Sequence, residues 1–192
     1  MSYIIVIIIL IIIFVVIKHY HDNMTYILSD IDNQSYLVND TEDKQYVANL
    51  LAQLKKRIDI LNNHLYNNIK TYPDYEEYIK QLHDKLDDCV ITENSSDNEY
   101  TSYSVNKGEQ LVFCVHSKKH PYDIHDINLM MYVVLHELSH VACPYYDNHG
   151  PLFKKIFSFL TIEAMKLNLY TKIDFSNNYQ EYCGITITNS II

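Results

Sequence analysis

Val134-Leu135-His136-Glu137-Leu138-Ser139-His140 lies near the end of an apolar run that begins at Ile127, and its reading decides the fold of the chain. On an α-helix residues four apart share a face. The spacing therefore puts the His136 and His140 imidazoles side by side, with the Glu137 carboxylate next to the first. Two imidazoles so placed bind a cation such as Zn2+. The ion acidifies a water and polarises a carbonyl, while a neighbouring carboxylate takes the proton and returns it to the leaving group. Ile127 to Leu135 is apolar on nearly every side, so a helix buried all round is expected. Burying an unsatisfied polar group costs roughly 2 to 7 kcal/mol by transfer estimates, and a metal ion gives all three polar side chains a partner. Core histidines bonded to backbone are the plainer alternative.

A catalytic zinc keeps three protein ligands and one open position, so a third ligand must follow His140. Pro144 ends the helix. The loop Tyr145-Tyr146-Asp147-Asn148 then delivers His149 just ahead of a helix with Pro151 in its first turn. His149 is the preferred candidate, and two rivals stay open. Glu163 stands where a following helix supplies a glutamate in thermolysin-type enzymes. Cys143 shares the helical face of the pair, but about 10 Å along the axis from His136.

Leu129 to His140, followed by His149-Gly150-Pro151-Leu152-Phe153, resembles the SprT-like and WLM-domain zinc metallopeptidases. Their pattern is an apolar helix, H-E-x-x-H, and a loop carrying H-G-P-x-F into the next helix. The tail is similar to proteins of that type encoded by large DNA viruses: Phe159-Leu160, Glu163-Ala164, Leu169-Tyr170, then Tyr182-Cys183-Gly184-Ile185-Thr186-Ile187-Thr188. The likeness spans about residues 100 to 190. It implies an α+β zincin-like fold, zinc at His136, His140 and His149, Glu137 as general base, and peptide hydrolysis. Two departures stand out. The loop from His140 to His149 is shorter than in SprT-like repair proteases and longer than in typical WLM domains, and no zinc ribbon follows. The lack of Gly three residues after His140 also sets the chain apart from metzincins.

The 192 residues, 48% hydrophobic, suit one globular domain with appendages. A net charge of -9 gives no support for a general phosphate-binding surface. Nucleic acid is thus not an expected partner, while a protein or peptide substrate is what the resemblance implies. The four cysteines, Cys89, Cys114, Cys143 and Cys183, form no C-x-x-C and read as buried free thiols.

Tyr3 to Ile17 is uninterruptedly apolar. At about 22 Å of helix it is short of a hydrocarbon core of roughly 30 Å, and Lys18 and Tyr20 would have to complete a span. Residues 1–18 are expected to form a single transmembrane anchor, 19–40 a polar tether, and 41–192 the metallopeptidase domain. Lys18 after the run points the domain to the cytoplasm. The opposite orientation would expose acceptor sequons at Asn23, Asn33, Asn39 and Asn94.

Within the domain, Val47, Leu50, Leu51, Leu54, Ile58, Leu61, Leu65 and Ile69 follow helical spacing after a cap at Asp40 or Thr41. Pro73 breaks that helix, and a shorter one carries Tyr78, Ile79, Leu82 and Leu86. Thr92 to Asn98 reads as a polar loop. Tyr103 and Val105, the turn Asn106-Lys107-Gly108, then Leu111, Phe113 and Val115 form a hairpin whose edge could receive an extended substrate. His116, His120 and His125 read as loop residues, and Asp126 as the cap of the metal helix. Leu152, Phe153, Ile156, Phe157, Leu160, Ala164 and Leu167 make a stripe that packs on that helix, and Ile185 to Thr188 a closing strand. A zinc site that is purely structural, in a membrane protein that binds a partner, is the competing reading. The carboxylate of Glu137 speaks against it.

Overall fold

The computed structural model describes residues 3–120, 122–144 and 149–192, without the side chains of residue 4 and residues 16–22. Helix α4 (Ile127–Ala142) organises the interior of an α+β arrangement. Twelve of its sixteen residues are buried, so no narrow stripe faces the core. Its start is fixed by Asp126, whose Oδ1 accepts from the N–H groups of Asn128 at 2.8 Å and Leu129 at 3.3 Å. Extended backbone at Cys143, ahead of Pro144, ends it.

Three helices pack on α4: α2 (Lys44–Asn67), α3 (Glu76–Leu86) and α5 (Pro151–Lys166). The predicted stripe of α2 is the buried one, from Val47 and Leu50 through Leu65. Pro73 ends the approach to α3 in a short 3-10 turn, and α3 buries Ile79, Leu82 and Leu86. In α5 the inward residues include Phe153, Ile156, Phe157 and Leu160. Truncating a fully buried leucine such as Leu54 or Leu61 would cost about 2 to 5 kcal/mol.

Strands β3 (Val90–Glu93), β4 (Tyr103–Val105) and β5 (Gln110–Phe113) form a sheet in the order β3-β5-β4. β5 runs parallel to β3 and antiparallel to β4, with Tyr103 opposite Val112 and Val105 opposite Gln110. The β4–β5 turn passes through left-handed backbone at Asn106, Lys107 and Gly108. Gly108 sits so close to α4 that a Cβ there would lie 3.0 Å from Val141 Cγ1.

Several expectations need correction. Residues 19–40 are no tether, because β1 (Met24–Leu28) and β2 (Ser35–Asn39) pair as an antiparallel hairpin. Tyr36 and Val38 of β2 enter the core. Their alternation is only two residues deep among Asp and Asn, too short to register as a period. The segment read as a polar loop from Thr92 belongs in its first two residues to β3, which turns polar groups inward. Buried Glu93 is satisfied there by His116 at 2.7 Å and by the Asn39 N–H at 2.7 Å. The expected closing strand, β7 (Ile185–Ile187), pairs with β6 (Gln180–Tyr182) in a separate hairpin and does not extend the three-stranded sheet.

The cysteines are not all thiols. Cys114 and Cys183, 69 residues apart, form a disulfide that ties the end of β5 to the turn of the β6–β7 hairpin, while Cys89 and Cys143 stay outside any disulfide. Sequence spacing carries no information on which cysteines meet across such a distance. The N-terminal run is helical as α1 (Tyr3–Asp22), but it does not support the expected membrane span. Among the described residues no helix is long and apolar enough to cross a membrane.

Candidate functional site

His136 and His140 project from one face of α4, and His149 meets them from the start of α5. His149 has a left-handed backbone, φ 66°, followed by Gly150 and then Pro151 as the first residue of α5. A non-glycine residue held there is strained by about 1 to 3 kcal/mol, which packing and the local cluster must offset. The three Nε2 atoms converge, with His136 and His140 3.2 Å apart, His140 and His149 3.0 Å, and His149 and His136 3.1 Å.

Three nitrogens about 2.0 to 2.1 Å from one tetrahedral ion lie about 3.3 to 3.4 Å from each other, so the cluster fits a zinc-sized cation. It is the one group of three or more possible metal-ligating side chains found among the described residues. Protonation favours the same reading. Burial, with the charge of neighbouring histidines added, lowers His136 to about 3; burial, with His149 and Lys107, lowers His140 to about 4. Both rings are therefore neutral at pH 7, the form that binds metal.

Glu137, on the next position of α4, is buried, and burial pushes its carboxyl up to about 7. Phe153, expected only as a core residue, lies under all three imidazoles. Its ring centroid is 5.0 Å from His136, 4.4 Å from His140 and 4.7 Å from His149. Lys107 Nζ donates to the Cys143 carbonyl at 2.8 Å, and Gln81 Nε2 donates to it at 3.0 Å, so the β4–β5 turn and α3 both hold the exit of the metal helix.

The cluster opens into a cleft of about 880 Å³. Its lining includes β4, the edge of its sheet, through Tyr103 and Ser104, and the C-terminal hairpin, through Tyr182, Ile185 and Ile187. Tyr182 is buried with its hydroxyl 2.6 Å from Ser102 Oγ, which accepts from the Cys114 N–H at 3.1 Å. Burial raises the Tyr182 phenol above its ordinary value, and the Glu137 carboxylate adds to the rise.

The other candidates lie elsewhere. Glu163 is buried on α5, bonded to the hydroxyl of Tyr72, in the segment between α2 and α3, at 2.8 Å and to Lys166 at 2.6 Å. Cys143 lines the cleft but is not one of the converging ligands. His116 is clamped between Glu93 and Asp43, and His125 Nε2 accepts the Cys183 N–H at 3.0 Å, so both are structural anchors. His83 stacks on Tyr66, and His64 lies 3.4 Å from the Tyr72 hydroxyl. Tyr145 and Tyr146 fall outside the described residues, whereas Tyr182 lines the cleft. The H-G-P-x-F stretch contains Phe153 but gives no sign of its contact with the imidazoles. Ser102 and Lys107 had no signal in the sequence.

No family model matches the chain. Two solved structures of Wss1 from Saccharomyces cerevisiae, one of them a mutant, each align with a TM-score of 0.37. The first is 17% identical and the match covers 50% of this chain and 81% of that one; for the mutant the values are 14%, 53% and 84%. A protein of Invertebrate iridescent virus 6, described as uncharacterized protein 136R, is 35% identical over 80 residues, 41% of this chain and 44% of the relative. A protein of Acanthamoeba polyphaga mimivirus, described as uncharacterized protein R325, is 42% identical over 175 residues, covering 91% of this chain and 88% of the relative. An identity of that level along nearly the whole of both chains means that this chain belongs to the family of the mimivirus protein R325.

Proposed function

We propose that the chain is a zinc-dependent peptidase with His136, His140 and His149 as metal ligands and Glu137 as general base. The observation that carries this reading is the convergence of three imidazole Nε2 atoms within 3.2 Å of one another, beside a buried carboxylate, in an open cleft. The H-E-x-x-H and H-G-P-x-F stretches, with their resemblance to SprT-like and WLM-domain metallopeptidases, support it from the sequence side.

A zinc ion held by these imidazoles would supply a Lewis acid that acidifies water and polarises a peptide carbonyl. The chain's own groups do the rest. The substrate backbone lies extended along β4, borrowing hydrogen bonds from the sheet edge. The Glu137 carboxylate takes a proton from the attacking water and delivers it to the nitrogen of the leaving amine. Phe153 beneath the imidazoles keeps water from their inner faces and fixes their ring planes.

Glu137→Gln tests this reading. The variant should keep its zinc and its thermal stability while peptide cleavage falls by about 10³-fold or more. Cleavage at the wild-type rate would refute the assigned role. Unchanged biological activity of an inert variant would favour a structural zinc protein that binds a partner.

On localisation, we propose that α1 seats the chain on a membrane. Its described apolar side chains from Ile5 to Val15 are each 45 to 67% exposed, and being apolar all round they call for an apolar surrounding on every side. Lys18 alone favours the cytoplasmic face. The Cys114–Cys183 bridge favours an oxidising compartment or a virion surface, and a covalent link weighs more than one lysine. Expression with microsomes separates the two. Asn39 and Asn94 are buried and their amides donate to backbone carbonyls, whereas Asn33 is exposed and Asn23 half-buried. A lumenal domain should show at most two endoglycosidase-sensitive shifts, from Asn33 and Asn23. One unshifted band would return the domain to the cytoplasmic side.

A further inference from the structure

The cleft is chemically asymmetric about the histidine cluster. Towards the C-terminal end of α4 its lining is polar, with Ser104, Asn106 and Lys107. Towards the N-terminal end it is mostly apolar, with Asn189 its polar member beside Tyr132. Tyr132 and Val133 lie one helical turn before His136, and β7 brings Ile185 and Ile187 into the same cleft. Residues 185 and 187 are alternate positions of one strand, so they share a face.

Tyr132 and Val133 are nearly buried in this face, and Ile187 is half-buried. Ile185 remains 51% exposed. A β-branched aliphatic side chain on the wall of a cleft loses the favourable burial it would gain in the core. The wall is also held firmly. The Tyr132 hydroxyl accepts from the Ile191 N–H at 3.1 Å, which ties the segment after β7 to α4, and its ring packs against Phe157 and Phe175 at 5.1 and 4.8 Å. The disulfide fixes the other end of the hairpin to β5. A surface that is apolar, prearranged and partly hydrated binds an apolar group without first having to be ordered.

Its distance from the ligands selects the group. One helical turn is about 5.4 Å along α4, while successive residues of an extended peptide advance about 3.4 Å. The side chain that reaches this end belongs to the residue next to the bond held at the cluster.

We propose that Tyr132, Val133, Ile185 and Ile187 form the specificity subsite of the cleft, and that its substrates are polypeptides with an aliphatic side chain of leucine or methionine size on one of the two residues flanking the cleaved bond. This inference rests on the peptidase reading for the word substrate, but the apolar subsite is testable without catalysis.

The experiment uses the full chain loaded with zinc and two probes, glycine hydroxamate and leucine hydroxamate, whose shared headgroup chelates the metal. Leucine hydroxamate should bind about tenfold tighter or more, the order expected for drawing one aliphatic side chain partly out of water. Ile185→Asp and Ile187→Asp should each bring the two affinities to within about twofold while zinc content and glycine hydroxamate binding stay as in the wild type. Ile185 is half exposed, so its variant folds even where the second does not. Equal affinities in the wild type, or a leucine preference that survives both substitutions, overturns the subsite. A peptide mixture read in parallel separates this from the peptidase reading. Cleavage with no aliphatic preference at either flanking position sinks the subsite and leaves the peptidase. A leucine preference among hydroxamates with no peptide cleaved sinks the peptidase and leaves the pocket.

Discussion

On one side of the cleft, α4 is a sixteen-residue helix whose Met130, Met131, Val134, Leu135, Leu138 and Val141 are buried among α2, α3 and α5. On the other, β6 and β7 are strands of three residues each, paired among the described residues only with each other. The helix is held by apolar burial from all sides and presents His136 and His140 through local geometry alone. A short two-stranded hairpin is marginal in water and needs external anchors. Those anchors are the Cys114–Cys183 disulfide, the Tyr182–Ser102 hydrogen bond and the Cys183 N–H donated to His125. The difference teaches that the helical wall should survive changes of redox state and pH that loosen the hairpin.

The largest expected effect breaks the helical side. His149→Ala should lower zinc affinity by more than about 10²-fold, beyond what changes around the ligands usually cost, whereas Glu163→Ala should leave the zinc content near one per chain. Metal analysis of the two purified variants checks this. Zinc lost only from the glutamate variant would overturn the ligand set.

Next comes the hairpin. Replacing both Cys114 and Cys183 with serine, or adding a thiol reductant, should lower stability by about 2 to 5 kcal/mol in denaturant unfolding while bound zinc is retained. Coincident loss of zinc and stability would show that the two walls are one cooperative unit.

Two histidines then give pH dependences of opposite sign. His116 is raised to about 9, chiefly by its hydrogen bond to Glu93, with Asp43 adding to it. Its folded value lies above its unfolded one of about 6.5. The stability it contributes is thus complete below about pH 6.5 and lost as pH rises through about 9, on the order of 1 to 3 kcal/mol. His125 is lowered, first by burial. It must be neutral to accept the Cys183 N–H, so its contribution is present above about pH 6.5 and declines as pH falls below it. Melting temperatures across pH 5 to 10 should lose their alkaline decline in His116→Gln and soften their acid decline in His125→Gln.

The smallest effect is a single hydroxyl. Tyr182→Phe removes the bond to Ser102 and should cost about 0.5 to 1.5 kcal/mol, measured by thermal unfolding, with zinc unchanged.

The regions legible in advance share a feature. Asp126 as a cap, the stripe of α2, the β4–β5 hairpin and the start of α5 at Pro151 depend on residues within a few positions of one another. The misread regions depend on distant partners. Tyr36 and Val38 show their worth only once α2 and β3 cover them. Glu93 looks like a loop residue until His116 and the Asn39 N–H are brought to it. Phe153 fits any core stripe, and only its contact with three imidazoles distinguishes it.

The sequence by itself determined that His136, Glu137 and His140 share one turn of a buried helix, because the pitch of an α-helix fixes what lies one turn away. Only the tertiary structure brought His149 to that pair and Glu163 to Tyr72, joined Cys114 to Cys183, and set two isoleucines of β7 in the cleft. Which residues meet across many intervening positions follows from how the elements pack, and no local spacing carries that information.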